Sequence, residues 1–157
     1  MATDKILVIG ACGQIGVELT AALRNLFGNE NVIASDLREE HPLLVGTGPY
    51  VTCDVMNKEL LVSIIRQHHI TQVYLLAAIL SATGEKNPGL AWQINMQSLL
   101  NLLDIARDEK LEKLYWPSSI AVFGPNSPKQ NTPQHTIIEP TTVYGISKYA
   151  GEQWCAY

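Results

Sequence analysis

The sequence has little cysteine, and the few cysteines present are not arranged as a disulfide framework or a metal site. Cys12, Cys53 and Cys155 are the three cysteines of the 157-residue chain, and no C-x-x-C spacing occurs. An odd number of distant cysteines argues against paired disulfides, and no histidine completes a zinc spacing. His68 and His69 are adjacent, so on a helix they point about 100° apart and do not readily share a metal. We therefore predict no bound metal and interpret the histidines as cations near a helix end.

Charge and long apolar runs are also sparse. Charged residues make up 17% of the chain, the formal net charge is −4, and no basic run occurs. This composition argues against bulk electrostatic binding to a nucleic-acid backbone. The first apolar run, residues 6–9, stops at Gly10 and is too short for a signal peptide or a membrane span. We expect a cytoplasmic protein with no nucleic-acid partner and no membrane partner.

Hydrophobic residues, by contrast, are plentiful enough for one domain with a core, since they make up 46% of the chain. Short apolar runs alternate with amphipathic segments, and no internal repeat is present. Predicted strands cover residues 6–9, 31–35, 50–53, 72–78 and 111–116, and predicted helices cover residues 13–27, 58–69, 89–110 and 142–157. This alternation predicts an α/β fold with a doubly wound parallel sheet of the Rossmann type. Ligands of such sheets bind beyond the carboxyl ends of the strands.

Two segments lack periodicity and are predicted as loops, residues 38–49 and residues 124–140. The second holds four of the eight prolines. Loops of this length in compact domains are usually functional or disordered, so we expect a lid or a substrate wall. In the first helix the residues spaced for burial are Val17, Leu19, Leu23 and Leu26, and Gly28 supplies the stop.

The first strand leads into a glycine-rich turn. Gly10, Gly13 and Gly16 have the spacing G-x-x-G-x-x-G, directly before an amphipathic segment. Glycine permits a tight turn, allows the backbone to approach a phosphate, and allows the helix to lie close to the strand. The N–H groups that open the helix then face an anion, and the helix dipole adds to the attraction. The turn predicts a phosphorylated ligand.

An acid after the second strand specifies that ligand further. Asp36 follows Gly16 by twenty residues and is placed to accept both hydroxyls of an adenosine ribose. Its charge would repel a 2′-phosphate, which favours NAD over NADP, although Arg38 is near enough to leave some NADP tolerance. Asp54, after the third strand, could accept from the adenine amino group, and a turn-forming role is equally compatible with its position.

A second pair of residues indicates proton transfer. Tyr144 and Lys148 are four residues apart in a helical pattern, so both side chains lie on one face. A free tyrosine has a pKa of about 10, and a pKa near 7 requires about 4 kcal/mol from nearby positive charge. Lys148 can supply part of it. The structural alternative is an exposed pair between Lys148 and Glu152.

Polar residues near the other strand ends remain open to two interpretations. Ser119, at the end of the fifth strand, could hold a substrate oxygen, and Ser118 could do the same, since strand alternation decides which of them faces the site. Either serine could instead cap a turn. Asn95 interrupts an apolar helix face, and structural hydrogen bonding is its safer role.

Together these residues resemble the extended short-chain dehydrogenase/reductase family, and the resemblance covers essentially the whole chain. The matching positions are Gly10-x-x-Gly13-x-x-Gly16, Asp36, Asp54, Asn95, Ser119 and Tyr144-x-x-x-Lys148. Within the family, residues 80–88, Ala91-Trp92 and residues 117–125 resemble the L-threonine 3-dehydrogenases of the sugar-epimerase-like type more than the sugar-nucleotide epimerases.

The resemblance implies oxidation of L-threonine to 2-amino-3-oxobutyrate with hydride transfer to NAD. It implies that Tyr144 takes the hydroxyl proton, that Lys148 lowers the tyrosine pKa and holds the nicotinamide ribose, and that Ser119 orients the hydroxyl. The implied substrate-binding residues are Ser81, Ser119 and Tyr144. The implied NAD-binding residues are Gly10, Gly13, Gln14, Ile15, Gly16, Asp36, Leu37, Arg38, Asp54, Val55, Leu76, Ala77, Ala78, Tyr144 and Lys148.

Members of the family are considerably longer than this chain. The resemblance therefore implies that residues 1–157 are an NAD-binding Rossmann domain without the last sheet strands and the C-terminal substrate-binding domain. We expect such a fragment to bind NAD more readily than it turns over threonine. The family also implies a homodimer through the helices at residues 89–110 and 142–157. The alternatives are a nucleotide-sugar epimerase or dehydratase that uses the same tyrosine and lysine, and a non-catalytic dinucleotide-binding module.

Overall fold

The computed structural model describes residues 4–157, which divide into two compact units. The first unit is the chain up to Ala77 with Asn101–Pro117, and the second is Ala78–Leu100 with Ser118–Tyr157. The strands are β1 (Ile6–Ile9), β2 (Val32–Asp36), β3 (Tyr50–Thr52), β4 (Gln72–Leu75) and β5 (Lys113–Tyr115). The helices are α1 (Gln14–Phe27), α2 (Lys58–Gln67), α3 (Ser81–Gly84), α4 (Pro88–Asp108) and α5 (Val143–Ala156), with 3₁₀ turns at Asn29–Asn31 and Ile120–Val122.

The five strands form one parallel sheet in the first unit, in the order β3-β2-β1-β4-β5. Ile6 of β1 lies opposite Val32 of β2 and Gln72 of β4, which sets the register. The prediction of a doubly wound parallel sheet is confirmed. The fourth strand ends at Leu75 instead of residue 78, because β1 ends at Ile9 and the chain after Leu76 no longer lies beside it.

The core lies on both faces of β1. Ile6, Leu7 and Val8 have no exposed surface, and Ile9 is 1% exposed. Because neighbouring side chains of a strand point to opposite faces, both faces of the sheet are covered. On one face the packed cluster is Ile6, Val8, Ala11, Val17, Leu23, Val32, Ala34 and Leu44. Each fully buried aliphatic side chain of this kind contributes about 1.5–3 kcal/mol.

Helix α1 contributes one stripe to that cluster. Its buried residues include Val17, Leu23 and Arg24, and it ends at Gly28, which adopts φ 91° and donates its N–H to Arg24 O at 2.9 Å. The prediction that Leu26 is buried is wrong, since this side chain is 78% exposed. Leu26 lies nine residues after Val17, so at about 100° per residue it projects from the opposite side of the helix.

The loop after β2 is held by a buried arginine that the sequence pattern did not reveal. Arg24 is 3% exposed and donates to Pro49 O at 2.7 Å, to Val32 O at 3.3 Å and to Thr47 Oγ1 at 2.5 Å. A Cβ on Gly48 would lie 2.6 Å from Arg24 Nε, so the loop can approach this closely because it has glycine there. The segment predicted as a loop at residues 38–49 is confirmed as one.

Candidate functional site

The glycine-rich turn is built from contacts that exclude side chains. Gly10 has φ +87°, and a Cβ there would lie 2.6 Å from Ala77 N. A Cβ on Gly16 would lie 2.2 Å from Gly10 O. These distances are shorter than any tolerated contact, so both glycines are required by close packing of the turn, α1 and the segment after β4. The structure thus brings Gly10, Gly16, Leu76 and Ala77 together.

The N-terminus of α1 has the form of an anion cradle. Gly13 is the N-cap residue and has no side chain to satisfy the N–H groups of the first turn, which belong to Gln14 and its successors. The first N–H groups of a helix have no partner within the helix, and the dipole adds positive character. The bare backbone at Gly13 and the N–H groups beside it therefore fit a pyrophosphate.

Asp36 lies beside this turn as the last residue of β2, not as the first residue after it. Its Oδ2 accepts the Cys12 N–H at 3.0 Å, and its Oδ1 accepts the Arg38 N–H at 3.1 Å and Arg38 Nε at 3.0 Å. Burial acts to raise the pKa of Asp36, but the hydrogen bonds from Arg38 and Cys12 outweigh it and hold the pKa below its ordinary value. The carboxylate is ionised and oriented toward the glycine turn.

The other cofactor-site predictions in the first unit are placed as follows. Leu37 is 68% exposed directly after Asp36, and Val55 is buried. Asp54 Oδ1 accepts the Met56 N–H at 2.9 Å, so this residue has the turn-forming role. Its contact with adenine stays a prediction, as do the roles of the other predicted site residues.

In the second unit, Tyr144 and Lys148 share one face of α5, as predicted. Lys148 Nζ lies 5.5 Å from the centroid of the Tyr144 ring. Burial lowers the pKa of Lys148 from 10.5 to about 8, while the nearby Cys155 acts in the opposite direction. The structural alternative of an exposed pair with Glu152 is wrong, because Lys148 is only 3% exposed.

The start of α5 is fixed by two caps. Thr142 Oγ1 accepts the Gly145 N–H at 3.0 Å, and the carboxylate of Glu85 accepts the Val143 N–H at 2.8 Å. A carboxylate at a helix N-terminus is also favoured by the dipole. Glu85 comes from a distant part of the sequence and carried no signal in it, so sequence reasoning missed this residue.

Gly145, the residue after Tyr144, was also missed. A Cβ at this position would lie 2.2 Å from Ala121 O, so α5 and the turn that follows β5 pack backbone to backbone. A glycine inside a predicted helix is a signal of close packing that could have identified it. This contact brings the turn containing Ser119 next to the start of α5.

The two serines after β5 have different partners. Ser118 Oγ donates to Glu152 Oε1 on α5. Ser119 caps the turn, since its Oγ accepts the Ala121 N–H at 3.2 Å. This bond occupies an acceptor position of Ser119 and leaves its O–H proton available to a ligand.

Three further residues singled out in the sequence, Ala78, Ser81 and Asn95, lie after β4 in the second unit. Ala78 is half-buried, and Ser81 is the first residue of the short helix α3, where the sequence analysis placed it in a loop. Asn95 Oδ1 accepts the Ile79 N–H at 2.8 Å and Asn95 Nδ2 donates to Ile79 O at 2.9 Å. The structural role predicted for Asn95 is confirmed. Asn95 thereby holds the backbone at Ile79, in the segment that leads to Ser81.

Within residues 4–157, no cluster of His, Cys, Asp or Glu is arranged to hold a metal ion. None of the helices in this range combines the length and the apolar character needed to cross a membrane.

Residues 6–157 match the NAD dependent epimerase/dehydratase family. This chain belongs to that family. The glycine turn and Asp36 fit its cofactor, and the prediction that the cofactor is NAD is confirmed. The predicted resemblance to the extended short-chain dehydrogenase/reductases is confirmed as well.

Similar proteins of the family come from several bacteria. An uncharacterized epimerase/dehydratase of Staphylococcus haemolyticus is 46% identical over 155 residues, which are 98% of this chain and 48% of that protein. The holo form of a GalE-like L-threonine dehydrogenase from Cupriavidus necator is 53% identical, with a TM-score of 0.93 over 97% of this chain and 49% of that one. L-threonine dehydrogenase from Clostridium difficile is 43% identical, with a TM-score of 0.93 over 100% of this chain and 49% of that one.

A UDP-glucose 4-epimerase shares the fold at 24% identity, with a TM-score of 0.87 over 98% of this chain and 46% of that one. The chain spans about half the length of the curated relatives that it matches, as the 48% coverage of the Staphylococcus haemolyticus protein illustrates.

Proposed function

We propose that this chain carries the cofactor-binding half of an NAD-dependent L-threonine 3-dehydrogenase. The reaction would be oxidation of the threonine hydroxyl to give 2-amino-3-oxobutyrate. The observation that carries the proposal is the similarity over nearly the whole chain to L-threonine dehydrogenases, at 53% and 43% identity. A UDP-glucose 4-epimerase has the same fold but only 24% identity.

The first unit supports the proposal through the residues that would hold the cofactor. NAD supplies the hydride acceptor when it is bound. The backbone N–H groups at the start of α1 would hold its pyrophosphate, and Asp36 would accept from the adenosine ribose. Gly10, Gly13 and Gly16 leave the necessary space because they lack side chains.

The second unit supports it through a tyrosine beside a buried cation. Tyr144 would take the proton from the substrate hydroxyl. With a pKa of about 8, Lys148 is about nine-tenths protonated at pH 7, so its ammonium would favour the phenolate. Ser119 would hold the substrate hydroxyl with its remaining hydrogen-bonding capacity, and Ser81 would bind the amino acid.

The proposal is tested in the enzyme of which this chain is proposed to be the cofactor-binding half, by NADH formation from L-threonine and by the variant Tyr144→Phe. General acid–base groups contribute about 10²–10⁴ in rate, so the variant should lose at least about 100-fold while still binding NAD. The matched control is Tyr149→Phe, which makes the same chemical change on the same helix and should retain activity. Equal activity of Tyr144→Phe and wild type would favour the non-catalytic module.

The epimerase or dehydratase alternative is supported by the family name and by the description of the Staphylococcus haemolyticus relative. Thermal protection separates it from the leading proposal. With NAD present, L-threonine should raise the melting temperature further if the chain is a threonine dehydrogenase. A UDP-sugar should do so, and L-threonine should not, if the alternative is correct.

We further propose a homodimer through α4 and α5. Large apolar side chains are exposed on both helices: Leu90 is 44%, Trp92 42%, Ile146 46% and Trp154 48% exposed. Burial of such side chains against a second copy would stabilise the pair. Sedimentation should give the mass of a dimer for wild type and of a monomer for Trp154→Arg. A monomeric wild type at high concentration would refute this proposal.

A further inference from the structure

The carboxylate of Asp36 has no acceptor position left for a ligand. A carboxylate offers about four lone-pair positions. Oδ1 accepts the backbone N–H of Arg38 at 3.1 Å and its Nε at 3.0 Å, and Oδ2 accepts the backbone N–H of Cys12 at 3.0 Å and Arg38 Nη2 at 3.3 Å. Four donors therefore match four positions, and the guanidinium supplies two of them.

These donors differ in how easily they can leave. The Cys12 N–H belongs to the glycine turn, and close contacts fix the backbone there. The Arg38 N–H belongs to the backbone only two residues after Asp36. The Arg38 side chain is 63% exposed, whereas that of Asp36 is 8% exposed. The two hydroxyls of a ribose need two acceptor positions. If the guanidinium of Arg38 moves away, two acceptor positions on the Asp36 carboxylate become free.

We propose that the Arg38 side chain competes with the adenosine ribose for Asp36, so that NAD must displace it, and that the displaced guanidinium assists a ligand with a 2′-phosphate. Arg38 thus weakens NAD binding and narrows the preference for NAD over NADP. The inference rests on the part of the proposed function that places the ribose at Asp36. It does not depend on the identity of the substrate.

The variant Arg38→Met tests the competition, because methionine keeps an unbranched chain and has no donor. An exposed ion pair is worth roughly a 1.5- to 5-fold change in an equilibrium constant, so ADP-ribose should bind tighter by that factor. Adenosine 2′,5′-bisphosphate should bind roughly tenfold weaker, because its 2′-phosphate loses a charge-assisted hydrogen bond.

The matched control is Arg66→Met. The Arg66 side chain is 68% exposed and makes a bidentate ion pair with Glu109, with hydrogen bonds of 3.0 and 2.7 Å. The substitution therefore removes the same charge and a similar ion pair elsewhere in the first unit. It should leave both affinities within about twofold of wild type, which separates the local effect of Arg38 from net charge.

Both ligands are titrated calorimetrically into wild type and variants at low and high salt. The gain for ADP-ribose should shrink at high salt, since screening weakens the competing pair in wild type. Weaker or unchanged ADP-ribose binding by Arg38→Met would overturn the proposal. Undiminished binding by Asp36→Asn would also overturn it, because the ribose would then lie elsewhere. ADP-ribose has no nicotinamide, so failure here is distinct from failure of threonine turnover.

Discussion

Replacing Lys148 with methionine should stabilise the protein at neutral pH. Lys148 is 3% exposed, and burial lowers its pKa from 10.5 to about 8. At 1.36 kcal/mol per pH unit, this difference corresponds to at most about 3 kcal/mol that wild type loses by keeping the ammonium buried. Methionine has a similar length and carries no charge, so the variant avoids this cost.

The lowered pKa of Lys148 determines whether the free energy of unfolding rises or falls with pH. Between about pH 8 and pH 10.5 the unfolded chain holds the proton that the folded protein has released. The unfolded state therefore binds more protons in this interval, and the wild-type free energy of unfolding rises with pH because of Lys148. The advantage of Lys148→Met should be full below pH 8 and should decline by up to about 3 kcal/mol as the pH approaches 10.5.

Urea unfolding of wild type and variant at several pH values measures this difference, and comparison of the two cancels the titration of groups that do not interact with Lys148. Cys155, which does interact with Lys148, is replaced by serine in both proteins. The control is Lys58→Met, because Lys58 makes a partly exposed pair with Asp104 at 2.8 Å. That variant should differ from wild type by less than about 1 kcal/mol. An advantage of Lys148→Met that stays constant across the interval would refute the reasoning.

Three further substitutions test the packing within each unit. Gly16→Ala places a Cβ 2.2 Å from Gly10 O, so it should cost about 1–3 kcal/mol in urea unfolding and weaken NAD binding in calorimetry. Glu85→Ala removes the cap on Val143 and should cost about 1 kcal/mol in the same unfolding assay, whereas Glu85→Gln, which keeps an acceptor, should cost less. Arg24→Met leaves the carbonyls of Val32 and Pro49 without their donor and should cost about 2–4 kcal/mol, with a drop in melting temperature that Arg107→Met does not share.

The sheet and the glycine turn were predictable because their causes are local. A run of β-branched and aliphatic residues that ends in glycine predicts both a strand and its exit, and β1 has the predicted bounds Ile6–Ile9. Gly28 likewise ends α1 where predicted. The error at Leu26 has a local cause too, because nine residues at about 100° each place Leu26 on the side of the helix opposite Val17.

The features that were missed depend on contacts between distant parts of the chain. Arginine commonly lies on the surface of a helix, whereas the burial of Arg24 depends on the carbonyl of Pro49, twenty-five residues away. Glu85 caps a residue fifty-eight positions later. Neither residue type carries a periodic signal for such a partner. The position of Ser119 likewise follows from the backbone contact between Gly145 and Ala121, which spacing alone does not specify.

The residues of α5 that lower its stability lie beside the proposed proton acceptor. Gly145, in the first turn of α5, has a lower helix propensity than alanine, and Lys148 keeps a buried charge. Alanine and methionine would make a more stable helix. Alanine, however, would push α5 away from the turn that holds Ser119, and methionine would remove the cation 5.5 Å from the Tyr144 ring. Proton transfer at the proposed acceptor Tyr144 would use both the close approach and the cation, and Lys148 would also hold the nicotinamide ribose. The cost predicted for Lys148 therefore bears on the proposed function as well as on the fold.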